Sequence, residues 1–128
     1  MQHLAPILLT AVVLLTLDSL YIYSIGDLFT NTIKAVQHAP LRLNIGGAVA
    51  CYILLITGVY YFLLLKRASL TQAFLLGLLV YGVYETTTLA LLKRWPVKVA
   101  VLDTLWGATL FTLTTCVVRR FATIPKSL

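Results

Sequence analysis

Residues 44–65 read NIGGAVACYILLITGVYYFLLL and contain no Asp, Glu, Lys or Arg. As a helix rising 1.5 Å per residue, such a run reaches about 33 Å. That matches the ~30 Å hydrocarbon core of a bilayer, which takes about 20 mainly apolar residues to cross. The stretch is not alone: segments 1–17, 68–84 and 104–118 are equally free of those four residue types. Four spans fit, at about 4–25, 44–65, 70–92 and 97–118. Only a helix satisfies all its backbone polar groups within one such segment. A water-soluble fold would have no polar faces to show on four helices apolar all round.

The whole composition agrees. Of 128 residues, 60% are hydrophobic and only 11% charged, against about a quarter charged in a soluble domain. The reading is an all-α, polytopic, multi-pass integral membrane protein: four transmembrane helices in an antiparallel bundle, one domain over 1–128. Which membrane holds it does not follow from the residues. The first span lacks a basic leader and is interrupted by Asp18, so it reads as a retained helix rather than a cleaved signal.

Net charge is +6, and the basic residues come in short pairs at span ends: Lys66–Arg67, Lys93–Arg94 and Arg119–Arg120. This is the headgroup-flanking pattern. It differs from the basic face with stacking aromatics that nucleic acid requires, so the bilayer is the partner and nucleic acid is not. Orientation stays undecided. Lys66, Arg67, Arg119, Arg120 and Lys126 fall on one side, against Lys34, Arg42, Lys93, Arg94 and Lys98 on the other. Cys51 and Cys116 sit at different depths, too far apart for a disulfide.

Of the connections, only 26–43 is long. Leu28, Phe29, Ile33 and Val36 are spaced there for a short interfacial helix, with Asp27 near its start and Pro40 after its end. The other two connections are tight and make spans 2–3 and 3–4 antiparallel neighbours. Pro96 suits the first turn of span 4, leaving Trp95 at headgroup depth. Span 2 presents Gly47, Cys51 and Gly58 on one stripe, a surface that admits a second helix closely. Gly77, Gly82 and Gly107 can serve the same purpose.

Three of the four acids, Asp18, Glu85 and Asp103, lie inside spans. Each charge at mid-bilayer costs ~2.5–3.5 kcal/mol on insertion scales, so the three must be paired, hydrated or protonated. Counted from the span ends, all three lie about 10 Å below the same surface. Tyr81, Glu85 and Thr88 share one face of span 3. Trp106 and Gly107 accompany Asp103, and Tyr21 follows Asp18 by three residues. Asn44 stands near the same level, and Lys98, Lys93 or Arg94 can fold inward. Burial favours the neutral acid, which donates a hydrogen bond, whereas a neighbouring cation favours the carboxylate. The candidates for ligand or proton binding are therefore Asp18, Glu85, Asp103, Tyr81, Tyr84, Thr88, Lys98 and Trp106. His38 is the one nitrogen ligand to consider beside them, but metal-ligand spacing is absent. No cofactor motif is present and no serine sits in a nucleophile elbow.

The run YETTTLALLKRWPVKVAVLDTLWG (84–107) resembles the signature of a small, mainly bacterial four-span family catalogued as domain of unknown function 2177. That signature reads Tyr-Asp-x-Thr-Asn-x-Ala-x-Leu-Lys-x-Trp-Pro-x-Lys, then Asp-x-x-Trp-Gly. Tyr84, Thr87, Ala90, Leu92, Lys93, Trp95, Pro96, Lys98, Asp103, Trp106 and Gly107 occupy its places. Asp18 corresponds to an acid in the family's first span. Glu85 and Thr88 stand where the family carries aspartate and asparagine, which lengthens the acid by a methylene and removes an amide. The resemblance implies the four-span fold and the layer of acids, and it implies no activity.

Three functions fit these residues. The leading one is a non-enzymatic structural or subunit component of a membrane assembly, with other subunits or a second copy as partner. In it the acids hold helices together, and the span 2 stripe meets the partner. The second is a small transporter, or a protein that handles protons or cations at the carboxylate layer. The third is a lipid-modifying enzyme with the acids as acid and base, and Lys98 or Arg94 on a phosphate.

Overall fold

The computed structural model describes residues 1–126; the last two positions of the expected unit lie outside it. Four helices account for most of the described chain, with no strand among the described residues. They are α1 (Leu4–Gln37), α2 (Ile45–Leu65), α3 (Leu70–Leu91) and α4 (Val97–Phe121), each long and apolar enough to cross a membrane. They pack as an antiparallel bundle whose most extensive contact is between α3 and α4, with α1 laid on α4.

Local sequence sets the ends. Asn44 caps α2 by accepting from the Gly47 N–H at 3.0 Å. Ser69 and Gln72 form a reciprocal capping box on α3. The turn between α3 and α4 places Arg94 at φ 67° and ends on Pro96, which caps α4 in extended geometry. The last two turns of α2, Val59–Leu65, are π-helical. Such wide turns leave carbonyls poorly paired, and Arg119 of α4 supplies donors: its guanidinium reaches Leu63 O at 3.0 Å and also the Ala68 carbonyl.

One expectation is corrected. The 26–37 segment is not a separate interfacial helix but the continuation of α1, which runs unbroken for 34 residues. At 1.5 Å per residue that is about 51 Å, beyond the ~40–45 Å of a full bilayer. A glycine in mid-helix costs about 1 kcal/mol, too little to stop a helix at Gly26 when burial follows. The same Leu28, Phe29, Ile33 and Val36 pack on Trp95, Val99 and Ala100, covering the α3–α4 turn. The helix stops at His38, which adopts a left-handed φ of 57° and donates its N–H to Lys34 O.

The helices converge at the π-helical end, where Leu14, Val59, Leu63, Leu64, Leu110 and Phe111 form the main core. Toward the opposite end they spread. Among the described residues, no Cα of α1 comes within 8 Å of one in α3, and no Cα of Ile45–Gly58 in α2 comes within 8 Å of one in α3 or α4. A broad apolar surface faces outward, including Leu20, Ile53, Leu79 and Leu105, as lipid contact requires. Cys51 and Cys116 are both free and exposed.

The close helix approach falls at Gly77 and Gly107. A Cβ built on Gly77 would stand 2.2 Å from the Gly107 carbonyl oxygen, and one on Gly107 would stand 2.2 Å from the Tyr81 ring. By contrast, Gly47 and Cys51 are exposed, and nothing lies within 4 Å of a Cβ at Gly58. Within the chain, then, the stripe on α2 is not a helix contact. Substituting Gly77→Ala or Gly107→Ala should destabilise the bundle by about 1–3 kcal/mol or more, the usual cost of overpacking. Gly58→Ala, which meets nothing, should not destabilise and should gain up to about 1 kcal/mol from helix propensity. Unfolding of the three variants in lipid nanodiscs checks this, and equal stability of Gly77→Ala and Gly58→Ala would contradict the packing.

Candidate functional site

Asp18 and Tyr21 stand three residues apart on α1, and Asp103 and Trp106 three apart on α4. Each pair therefore occupies one face of its helix. The two faces meet. Trp106 Nε1 donates to Asp18 Oδ1 at 2.9 Å, the Tyr21 hydroxyl donates to Asp103 Oδ1, and the Tyr21 and Trp106 rings stack at 4.6 Å. From α2, the Tyr52 hydroxyl donates to Asp18 Oδ2 at 2.5 Å. Asp18, 6% exposed, thus ties three helices together.

The fourth helix enters through Glu85, which is wholly buried. Its Oε2 accepts from Trp95 Nε1 at 2.8 Å. Arg94 is the centre of the turn between α3 and α4, and Glu85 and Asp103 are equally far from it along the chain. In an antiparallel hairpin that places them at one level. Among the described residues no donor reaches the buried Glu85 Oε1; a proton taken up there would supply one.

The layer is short of donors. Its three carboxyls have six oxygens and receive four hydrogen bonds, all from neutral Tyr and Trp groups. Lys93, Arg94 and Lys98 remain exposed. Beside the layer, Asp18, Tyr21, Ile22, Phe29, Tyr81 and Asp103 line a cleft of about 150 Å³. It lies where α1 and α3 stand apart.

Of the residues expected in one layer, the structure brings together Asp18, Glu85, Asp103, Tyr81 and Trp106. Tyr84 and Thr88 instead line a separate groove on the outer side of α3, and the Thr88 hydroxyl is turned back to the Tyr84 carbonyl at 2.7 Å. Lys98 is exposed, and Asn44 is engaged in capping. Sequence reasoning missed Tyr52 and the inward role of Trp95. Tyr52 lies seven residues into α2, the same depth as Asp18, and that was its signal. Trp95 was read as a headgroup anchor but is 6% exposed, because the extended α1 roofs it. His38 is exposed at the end of α1, and among the described residues no three His, Cys, Asp or Glu side chains are grouped to hold a metal ion. His3 Nδ1 pairs with the Tyr60 hydroxyl at 2.7 Å, far from the acids along the bundle.

Four membrane-length helices around an internal acid layer define a multi-pass integral membrane protein. The family model described as "Predicted membrane protein (DUF2177)" matches residues 3–119, so the chain belongs to that family, whose function is unknown. No curated protein and no solved structure matches the chain.

The Asp18–Tyr52 bond is open to a double-mutant cycle. Asp18→Leu, Tyr52→Phe and the pair, unfolded in nanodiscs, should show a coupling of about 0.6–1.7 kcal/mol, the range of interhelical hydrogen bonds in membranes. Strict additivity would mean that the bond holds nothing.

Proposed function

We propose that this protein handles protons or cations at its intramembrane carboxylate layer, the role of a small transporter or of its ion-handling subunit. The observation that supports the reading is the donor deficit: three carboxyls, four neutral donors, and a buried Glu85 oxygen left without a partner. A layer built only to hold helices together would be satisfied internally, since unpaired buried acceptors cost stability. Acids kept inside a span mark ion and proton pathways as a rule.

A second reading, membership in a larger membrane assembly, draws on a different feature. The exposed face of α2 around Gly47 and Cys51 meets no other helix of the chain, and small residues of this kind admit a helix of another subunit. Both readings are compatible in one molecule.

Proteoliposomes carrying a pH gradient test the first. The wild type should dissipate the gradient faster than empty vesicles. Glu85→Gln, which keeps an acceptor for Trp95 but has no titrating group, should fall to the empty-vesicle rate. Dissipation by the wild type no faster than by empty vesicles, or by Glu85→Gln at the wild-type rate, would contradict the proposal.

A further inference from the structure

We propose that the groove where α2 ends and α3 begins binds one anionic phospholipid, with its phosphate on Lys66 and Gln72 and the start of a chain on Phe62 and Leu76. The groove lies at the end of the bundle opposite the acid layer, and the inference is independent of the ion-handling reading.

The groove has a volume of about 260 Å³ and is lined by Phe62, Leu63, Lys66, Ala68, Gln72 and Leu76. These walls are graded with depth. Lys66 follows the last residue of α2, and Gln72 is the third residue of α3. Phe62 and Leu76 each stand four residues deeper on the same helix faces, about 6 Å further into the bilayer. Leu63 and Ala68 are buried, whereas Phe62 is 56% exposed and carries the apolar wall outward to the lipid. Polar groups at the mouth and hydrocarbon one turn below is the order in which a phospholipid presents phosphate and chain. A free phosphate would leave the apolar half unused. The volume is just under the ~300 Å³ at which drug-sized ligands begin, so it admits a headgroup and the start of a chain, with the rest of the lipid outside.

The polar groups at the mouth are donors. Gln72 accepts the Ser69 N–H on its Oε1 at 2.8 Å, which leaves its Nε2 to donate. Lys66 Nζ stands 4.9 Å from the centre of the Tyr61 ring, a contact that steadies the ammonium without cancelling its charge. The N-terminus of α3 adds the positive end of its dipole beside them.

Charge complementarity selects an anionic lipid. Lys66, Arg67, Arg119, Arg120 and Lys126 gather at this end. Of the four acids, Asp18 is the nearest along its helix, 14 residues past Leu4, or about 21 Å away. Arg119 donates to the Leu63 and Ala68 carbonyls and Arg67 to the Ile124 carbonyl. Carbonyls satisfy the N–H groups but leave both charges in place. The opposite end differs, because its basic residues stand over the acid layer. Clustered basic groups at a span end attract anionic headgroups, and the groove gives that attraction a fixed seat.

Native mass spectrometry tests this on the full chain, released from micelles of phosphatidylglycerol and phosphatidylcholine in about 0.15 M salt, where the screening length is about 8 Å. The wild type should retain one phosphatidylglycerol in clear preference to phosphatidylcholine. Lys66→Gln should weaken that retention about tenfold, as loss of a charge-assisted hydrogen bond does. Leu76→Trp, which fills the groove and keeps every charge, should weaken it as much. Arg120→Gln removes one charge from the same end but outside the groove, and should retain the lipid nearly as the wild type does. Equal retention of the two lipids, or wild-type retention by either groove variant, overturns the site. An equal loss in Arg120→Gln and Lys66→Gln overturns it in favour of diffuse attraction to the basic end. Displacement of the lipid by equimolar inorganic phosphate overturns the lipid in favour of a free anion.

Discussion

The contact of Gly77 with Gly107 sets the geometry on which the acid layer depends. With no Cβ between them, the two backbones touch, and each helical turn away from that point repeats the facing. One turn along α3, Tyr81 covers Gly107; one turn further stands Glu85, and one turn back along α4 from Gly107 stands Asp103. A bulkier residue at either glycine would part the hairpin and separate the two carboxyls. Asp103 then passes the connection to α1 through Tyr21, and the stacked Trp106 passes it on to Asp18 and, through Tyr52, to α2.

What this layer lacks explains as much as what it contains. Five basic residues lie on the same side of the bundle, yet Lys93, Arg94 and Lys98 remain at the surface. An arginine or lysine folded inward would have turned the layer into an internal ion pair, satisfied and closed. Tyrosine and tryptophan donors hold the carboxyls in place without cancelling their charge. The layer is positioned by its neighbours and left with spare acceptors, an arrangement suited to a proton or a cation that comes and goes.

The four spans were legible because charge-free runs of bilayer length allow no other regular structure in lipid. The common depth of Asp18, Glu85 and Asp103 was legible too, since it follows from counting along straight helices. Lateral geometry was harder. The sequence offers three glycine-bearing spans, and nothing in the residues says that the tight contact falls on Gly77 and Gly107 rather than on Gly47 and Gly58. Tyr84, one residue before Glu85, is rotated about 100° from it, and Thr88, although three residues on, turns its hydroxyl back to the Tyr84 carbonyl and away from a role in the layer. The length of α1 was hidden by Gly26 and Asp27, which look like punctuation. Only the burial of Leu28 and Ile33 against the α3–α4 turn explains why the helix continues, and that contact is distant in sequence. Trp95 followed from the same contact, as its burial depends on the roof above it.

The central claim, the proposal that the acid layer handles protons, is tested most directly by whether Glu85 and Asp103 share one, which infrared spectroscopy of the protein in nanodiscs reads. The account predicts a carbonyl stretching band of a protonated carboxyl near neutral pH, lost in both Glu85→Gln and Asp103→Asn while the helical amide band persists. A spectrum showing only ionised carboxylates, or a protonated band that survives both substitutions, would contradict it.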